Sequence, residues 1–205
     1  EKDAVHVGVG FTNALTVSGA DAEEPDYGYE TTSGASTDRV NGETADTTAF
    51  LESSASDLAL FDNNGDDILI GSDSLFELLE VILTIGASKD CDLEFRYSKA
   101  GGNWTILPGV DDGTQGFQNS GIIDWEAPAD WTKDDEDLDG NAITEAYYIA
   151  ITRTFSPALV VKPVEDYFKT FAERAGDTGM KITGNGVVKL PYITAAPTSP
   201  ENGMM

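Results

Sequence analysis

Histidine and cysteine, the side chains that carry most nucleophilic and metal chemistry, are nearly missing from this chain. His6 and Cys91 are the only examples among 205 residues. One cysteine excludes an intrachain disulfide and a zinc site built on several thiolates. Cys91 opens a strand-like run, where burial as a small hydrophobe is its ordinary use. His6 stands in an alternating segment with no partner nearby, so a strand residue is expected there, not a ligand or general base. There is no G-x-S-x-G, H-E-x-x-H, P-loop or C-x-x-C motif. A nucleophilic triad would have to enlist His6 or Cys91, and neither has a fitting context. The expectation is a protein that is not an enzyme, although 37 acidic residues leave a glycosidase-type carboxylate pair open.

Basic residues are also scarce. Twelve Lys and Arg face 37 Asp and Glu, giving a formal charge of -25 and a pI near 4.1. Without clustered cations, direct binding to nucleic-acid phosphates is not expected, and an anionic membrane would repel this surface. No run approaches the roughly 18 apolar residues that cross a bilayer, and no signal-peptide pattern opens the chain. Starting at Glu1 and stopping in mid-pattern, the sequence has the look of a processed or partial chain. Its acidity suits an outward-facing surface, work in high salt, or cation binding. A hydrophobic content of 40% is enough for a real core.

What is present is a sheet pattern. Leu93, Phe95 and Tyr97 alternate with Asp92, Glu94, Arg96 and Ser98, the period of a half-buried strand. Lys99-Ala100-Gly101-Gly102 makes a turn, and residues 103–107 return as a hairpin partner. Pro108-Gly109 ends that strand, Asp112-Gly113-Thr114 marks another turn, and residues 121–125 begin the next strand.

Across residues 60–155 the pieces FRYS, GGNWTIL, DDGTQGF, SGIIDW, PADW and YYIAITRT follow one another. In this order they resemble a β-sandwich module that recurs in tailed-bacteriophage virion proteins, including baseplate, tail and capsid-attached components. Residues 178–205 are similar to the linker-and-repeat segments of phage fibre-like proteins. The resemblance implies a structural part of an outward-facing virion and brings no catalytic residues with it.

Taken in order, Val5, Val7, Val9 and Phe11 alternate as a strand or an arm that adds to a sheet. Residues 18–48 are rich in Gly, Ser, Thr and acids and read as a long polar loop or arm. Between Leu58–Phe61 and Ile68–Ile70, the run Asp62-Asn63-Asn64-Gly65-Asp66-Asp67 signals a hairpin; its acids suit calcium or plain turn chemistry. Residues 74–85 fit either a helix or a buried strand. The strand is preferred, because Val81–Ile85 is largely β-branched and the resemblance places a strand there.

Asp135, Asp137, Asp139 and Gly140 form D-x-D-x-D-G, the first half of an EF-hand-like loop. The second half fails, since position twelve is Ala146 and the acid comes one residue early at Glu145. Calcium, the one candidate cofactor, would use Asp135, Asp137 and Asp139, against the alternative of a solvated acidic turn. Residues 147–155 alternate as a central strand. Residues 163–175 permit a short helix with Pro163 in its first turn and Gly176 as a cap, or an extended segment. Pro191, Pro197 and Pro200 space out an extended tail.

The expected fold is mainly β: an antiparallel β-sandwich of jelly-roll type over residues 48–156. Residues 1–47 form an N-terminal arm and polar loop, and residues 157–205 an extension with at most one short helix. The expected function is structural, in a capsid decoration, cement, tail or fibre protein. Its partners are other virion subunits, in a homo-oligomer of three or more. The alternative is a carbohydrate-binding module for host attachment, in which Trp104, Trp125 and Trp131, with Tyr147 or Tyr148, stack on a surface glycan; filling the core is the competing use of those rings.

Overall fold

The alternation at residues 92–98 becomes a strand, and the glycine turn after it closes a hairpin. This holds in the computed structural model, which describes residues 22–32, 34–42, 44–155, 158–172, 181–182 and 188–189. In chain order the strands are β1 Tyr27–Thr32, β2 Ala35–Asp38, β3 Asp67–Ser72, β4 Phe76–Ile85, β5 Asp92–Lys99, β6 Asn103–Ile106 and β7 Asp111–Asp112. They continue with β8 Gly121–Asp124, β9 Asp134–Glu136, β10 Ala142–Phe155, β11 Val164–Ala172, β12 Lys181–Ile182 and β13 Val188–Lys189. Among the described residues the one helical element is a 3-10 turn, Ala45–Thr48.

Every pairing is antiparallel. The large sheet has the order β2-β1-β3-β10-β5-β6, with β9 beside β10, and the small sheet has the order β11-β4-β8-β7. Ile68, Ile70, Ile149 and Ile151 of the large sheet meet Leu79, Val81, Ile123 and Phe168 of the small one in a single core. Two apolar faces closed on each other make a β-sandwich. The strand order by itself does not establish the jelly-roll connectivity expected from the sequence.

The described part of residues 163–175 does not form the expected short helix. Val164–Ala172 is β11, paired in register with β4 so that Phe168 lies opposite Val81 in the core. Tyr167, Phe168 and Phe171 suit a pleated surface, and β4 offers an unpaired edge; sheet pairing overrides the helical spacing. The polar segment 18–48 likewise supplies β1 and β2, with Tyr27, Gly28, Tyr29, Glu30 and Thr31 registered on β3. The sandwich therefore includes strands on both sides of the expected limits 48 and 156.

The Asn64-Gly65 turn joins the two sheets instead of closing a hairpin. Before it, Leu60 N–H donates to Pro163 O at 2.8 Å and Leu58 O accepts from Glu165 at 3.1 Å, so this stretch borders β11. After it, the chain enters the large sheet as β3. Phe61, at the crossing, has a left-handed backbone (φ 57°), and its ring meets Phe117 edge-on at 5.2 Å.

The outer edge of β11 is closed by irregular backbone. Leu58–Leu60, Phe50 and Glu23 each exchange or accept hydrogen bonds along it, the last two from Phe168 N–H at 3.1 Å and Thr170 N–H at 2.8 Å. An edge covered in this way is no template for another chain. His6, the Val5–Phe11 alternation, Gly176 and the proline-spaced end lie outside the described residues. The short C-terminal β pieces pair with each other as β12 and β13.

Candidate functional site

The acidic run 134–141 lies across the outer face of the large sheet. β9 and the start of β10 form its two limbs, with Ala142 opposite Glu136 and Ala146 opposite Asp134. Leu138 and Ile143 pack on a second apolar cluster of Tyr29, Leu69, Tyr148 and Ala150, residues that alternate with the core-facing isoleucines. The Tyr148 ring rests on Gly71, where a Cβ would come within 2.3 Å of Cε1. Its hydroxyl donates to Thr144 O at 2.6 Å, tying the ring to the same strap.

Asp137 is the hub of this strap. Oδ1 accepts the backbone N–H groups of Asp139 (2.9 Å) and Asn141 (2.8 Å). Oδ2 accepts the Asn141 side-chain amide at 2.8 Å and the Ser36 hydroxyl. Burial works against its charge, but the bonds from Ser36 and Asn141 and the two backbone donors prevail and hold its carboxyl below the usual range.

Ser36 begins a polar row that register sets across five strands: Ser36, Thr31, Asp67, Thr152 and Glu94. Asp67 is 4% exposed. Its Oδ1 and the Thr152 hydroxyl have no hydrogen-bond partner among the described residues. Burial raises the Asp67 carboxyl to about 7, against a hydrogen bond from Thr31 and with Asp139, Asp137 and Asp66 adding to the rise. Glu165, fully buried on β11, behaves alike. Its Oε1 accepts Leu58 N–H at 2.8 Å, and burial pushes the group up to about 8.

The structure does not bring Asp135, Asp137 and Asp139 together as a ligand set. Asp135 and Asp139 are exposed while Asp137 turns inward, and no group of three or more metal-ligating side chains occurs among the described residues. Removing the hub should loosen the strap. Asp137→Ala is expected to lower stability by about 2–3 kcal/mol, because four backbone or side-chain donors lose their acceptor in a buried site. Asp135→Asn should stay within about 0.5 kcal/mol. Urea unfolding with and without calcium checks both, and equal costs for the two variants would contradict this account.

Trp125 and Trp131 are core residues, 2% and 5% exposed. Their indole N–H groups donate to Phe76 O at 3.1 Å and to Ser98 Oγ at 3.2 Å, so neither ring presents a face to a sugar. Tyr148 is buried as well, and Tyr147 stands edge-on to Trp131 at 6.0 Å. Tyr147 is half-buried, and so is Trp104, on the edge strand β6 beside Ile106, which is 62% exposed. Asp67, Glu165 and the β6 edge were not singled out from sequence. The Asp66-Asp67 pair was visible as turn chemistry or a calcium ligand, and Asp66 performs the turn chemistry by accepting Asn63 N–H at 2.6 Å.

A second surface feature lies at one pole. Ser88 Oγ accepts the backbone N–H groups of Val160 and Val161, each at 3.1 Å, and Ser88 N–H donates to Val161 O at 3.0 Å. This contact holds the β10–β11 connection against the loop that follows β4. Val160 is 86% exposed, Ile85 47% and Val161 42%. No protein-family model matches the chain, and no curated protein matches it either.

Proposed function

We propose that this chain is a structural protein of a tailed-phage virion, a capsid decoration or cement protein or a tail or fibre component. It works by packing against copies of itself, in a trimer or higher assembly, and against other subunits on the outer surface of the particle. The observation that carries this reading is the aliphatic pole. Three β-branched side chains, Ile85 at the end of β4 and Val160 and Val161 on the connection into β11, are exposed on a chain whose charge of -25 otherwise favours solvation. A cluster of this kind is surface that a neighbour covers. The order of sequence pieces across residues 60–155 supports the same reading through its resemblance to virion modules. Residues 1–21 and 173–205 add length for contacts with adjacent subunits.

The test is immunogold labelling and protein composition of purified particles of the phage that encodes the chain. Wild type should be on the particle. The double variant Val160→Asp, Val161→Asp should be lost from it while its melting temperature changes by no more than about 2 °C, since both positions are exposed. Wild-type protein that is made but absent from purified particles would overturn the reading.

A further inference from the structure

The edges of the two sheets differ. β11 is closed by Glu23, Phe50 and Leu58–Leu60. β7 consists of two aspartates and β2 ends in Asp38, and a charge on an edge discourages pairing with another chain. β6 reads Asn103-Trp104-Thr105-Ile106 and carries no charge, in a chain of which 24% is charged. Among the described residues no backbone group pairs with its outer side.

Register decides which groups point outward. Leu107 N–H donates to Phe95 O at 2.9 Å, and Arg96 lies opposite Ile106. Hydrogen-bonded pairs alternate along an antiparallel ladder, so Phe95/Leu107, Tyr97/Thr105 and Lys99/Asn103 are the bonded pairs. The N–H and C=O groups of Trp104 and Ile106 then face away from β5. The side chains of Trp104 and Ile106 share the outer face of the sheet.

We propose that β6 pairs antiparallel with β6 of a second copy about a two-fold axis through Thr105, joining two large sheets into one. The edge is self-complementary. Trp104 of one copy falls opposite Ile106 of the other, and each such pair exchanges two backbone hydrogen bonds, four in all. The two opposed side chains form an aromatic–aliphatic cross-strand pair on each side of the axis. Charge favours this edge over the others. On β5 next to it, Arg96 lies 2.5 Å from Glu94, and Lys99 lies 2.7 Å from Asp130, so two carboxylates near the contact are paired, while Asp134 and Glu136 stand at the Gly102 end. The inference rests on the assembly reading and names one contact within it.

The axis makes a sharp test. Thr105 meets Thr105 of the other copy at a non-hydrogen-bonded position, where Cβ atoms are about 4.5–5.5 Å apart, close to the reach of a disulfide. Thr105→Cys should therefore oxidise to a dimer on a non-reducing gel, and Asn103→Cys should not. Cys91, 2% exposed, does not compete. Ile106→Pro removes an outward N–H without touching the ladder to β5, and Ile106→Lys places a charge on the edge. In sedimentation equilibrium up to about 1 mM, the range suited to so small a contact, both should weaken self-association at least about tenfold with unchanged melting. A wild type that stays monomeric throughout overturns the proposal. So do Ile106 variants that associate like wild type. Self-association without the Thr105→Cys cross-link also overturns it while leaving the assembly reading intact.

Discussion

Acidifying the solution from about pH 9 to about pH 5 is expected to raise the melting temperature by on the order of 10 °C. Asp67 and Glu165 are the cause. Burial raises their carboxyls to about 7 and about 8 in the folded protein, well above the range near 4 of an unfolded chain. Each folded-state group therefore keeps a proton that the unfolded chain has already lost. The stability this contributes is complete below about pH 4 and is lost as pH rises through the folded values, on the order of 3 kcal/mol for each group. Asp137 acts in the opposite direction. Its carboxyl is held low, so the strap weakens once the solution is acid enough to protonate it.

Asp67→Asn and Glu165→Gln should each melt higher than wild type at pH 8, and the double variant should lose most of the pH dependence. The glutamine can still accept Leu58 N–H through its carbonyl oxygen, so the closure of the β11 edge survives. Calorimetric scans across the pH series check this. If both variants keep the wild-type slope, these two groups are not its source.

Trp131→Ala is expected to cost about 4 kcal/mol, a large part of the stability of a domain this size. The ring packs against Phe76 of the small sheet at 5.3 Å and Tyr97 of the large sheet at 6.2 Å. Its indole N–H donates to Ser98 Oγ, which also accepts Tyr148 N–H at 3.0 Å and donates to Thr132 O at 2.9 Å. Truncation thus opens a cavity and removes a donor from a fully buried hydroxyl. Trp131→Phe keeps most of the packing and should cost about 1–2 kcal/mol, the price of the lost hydrogen bond and part of the ring. Urea unfolding separates the two. A cost below about 1 kcal/mol for Trp131→Ala would place the ring at the surface and reopen stacking on a glycan.

Whereas residues 74–85 fitted a helix as well as the strand they form, the hairpin of β5 and β6 and the central strand at residues 147–155 could be found in the sequence alone. Each is written in a local code: side chains of period two, β-branched residues, and a glycine turn between neighbours. Local code could not settle residues 163–175, where Val164, Phe168, Phe171 and Ala175 suit one face of a helix while Tyr167, Phe168 and Phe171 suit a strand. The open edge of β4 decided it. Nor did Tyr27–Thr32 announce itself, because its few large side chains make a strand only once β3 lies beside them.

Burial and exposure at the candidate sites were decided further away still. Asp67 is sealed by a row of neighbours from β1 and β10 and by a strap some way down the chain, and Glu165 bonds a backbone group 107 residues distant. For Trp125 and Trp131 core filling was the stronger reading and glycan stacking the alternative, and contact with Phe76 and Ser98 places both in the core. The free edge of β6 follows from strand order, since among the described residues no strand follows β6 in the sheet path. Sequence alone determined a mainly β, strongly acidic chain with one histidine and one cysteine, because alternation, turn propensity and charge are properties of neighbouring residues. Which acids are buried, which rings are covered and which edge stays open belong to the tertiary structure, because each depends on which distant segments meet across the fold.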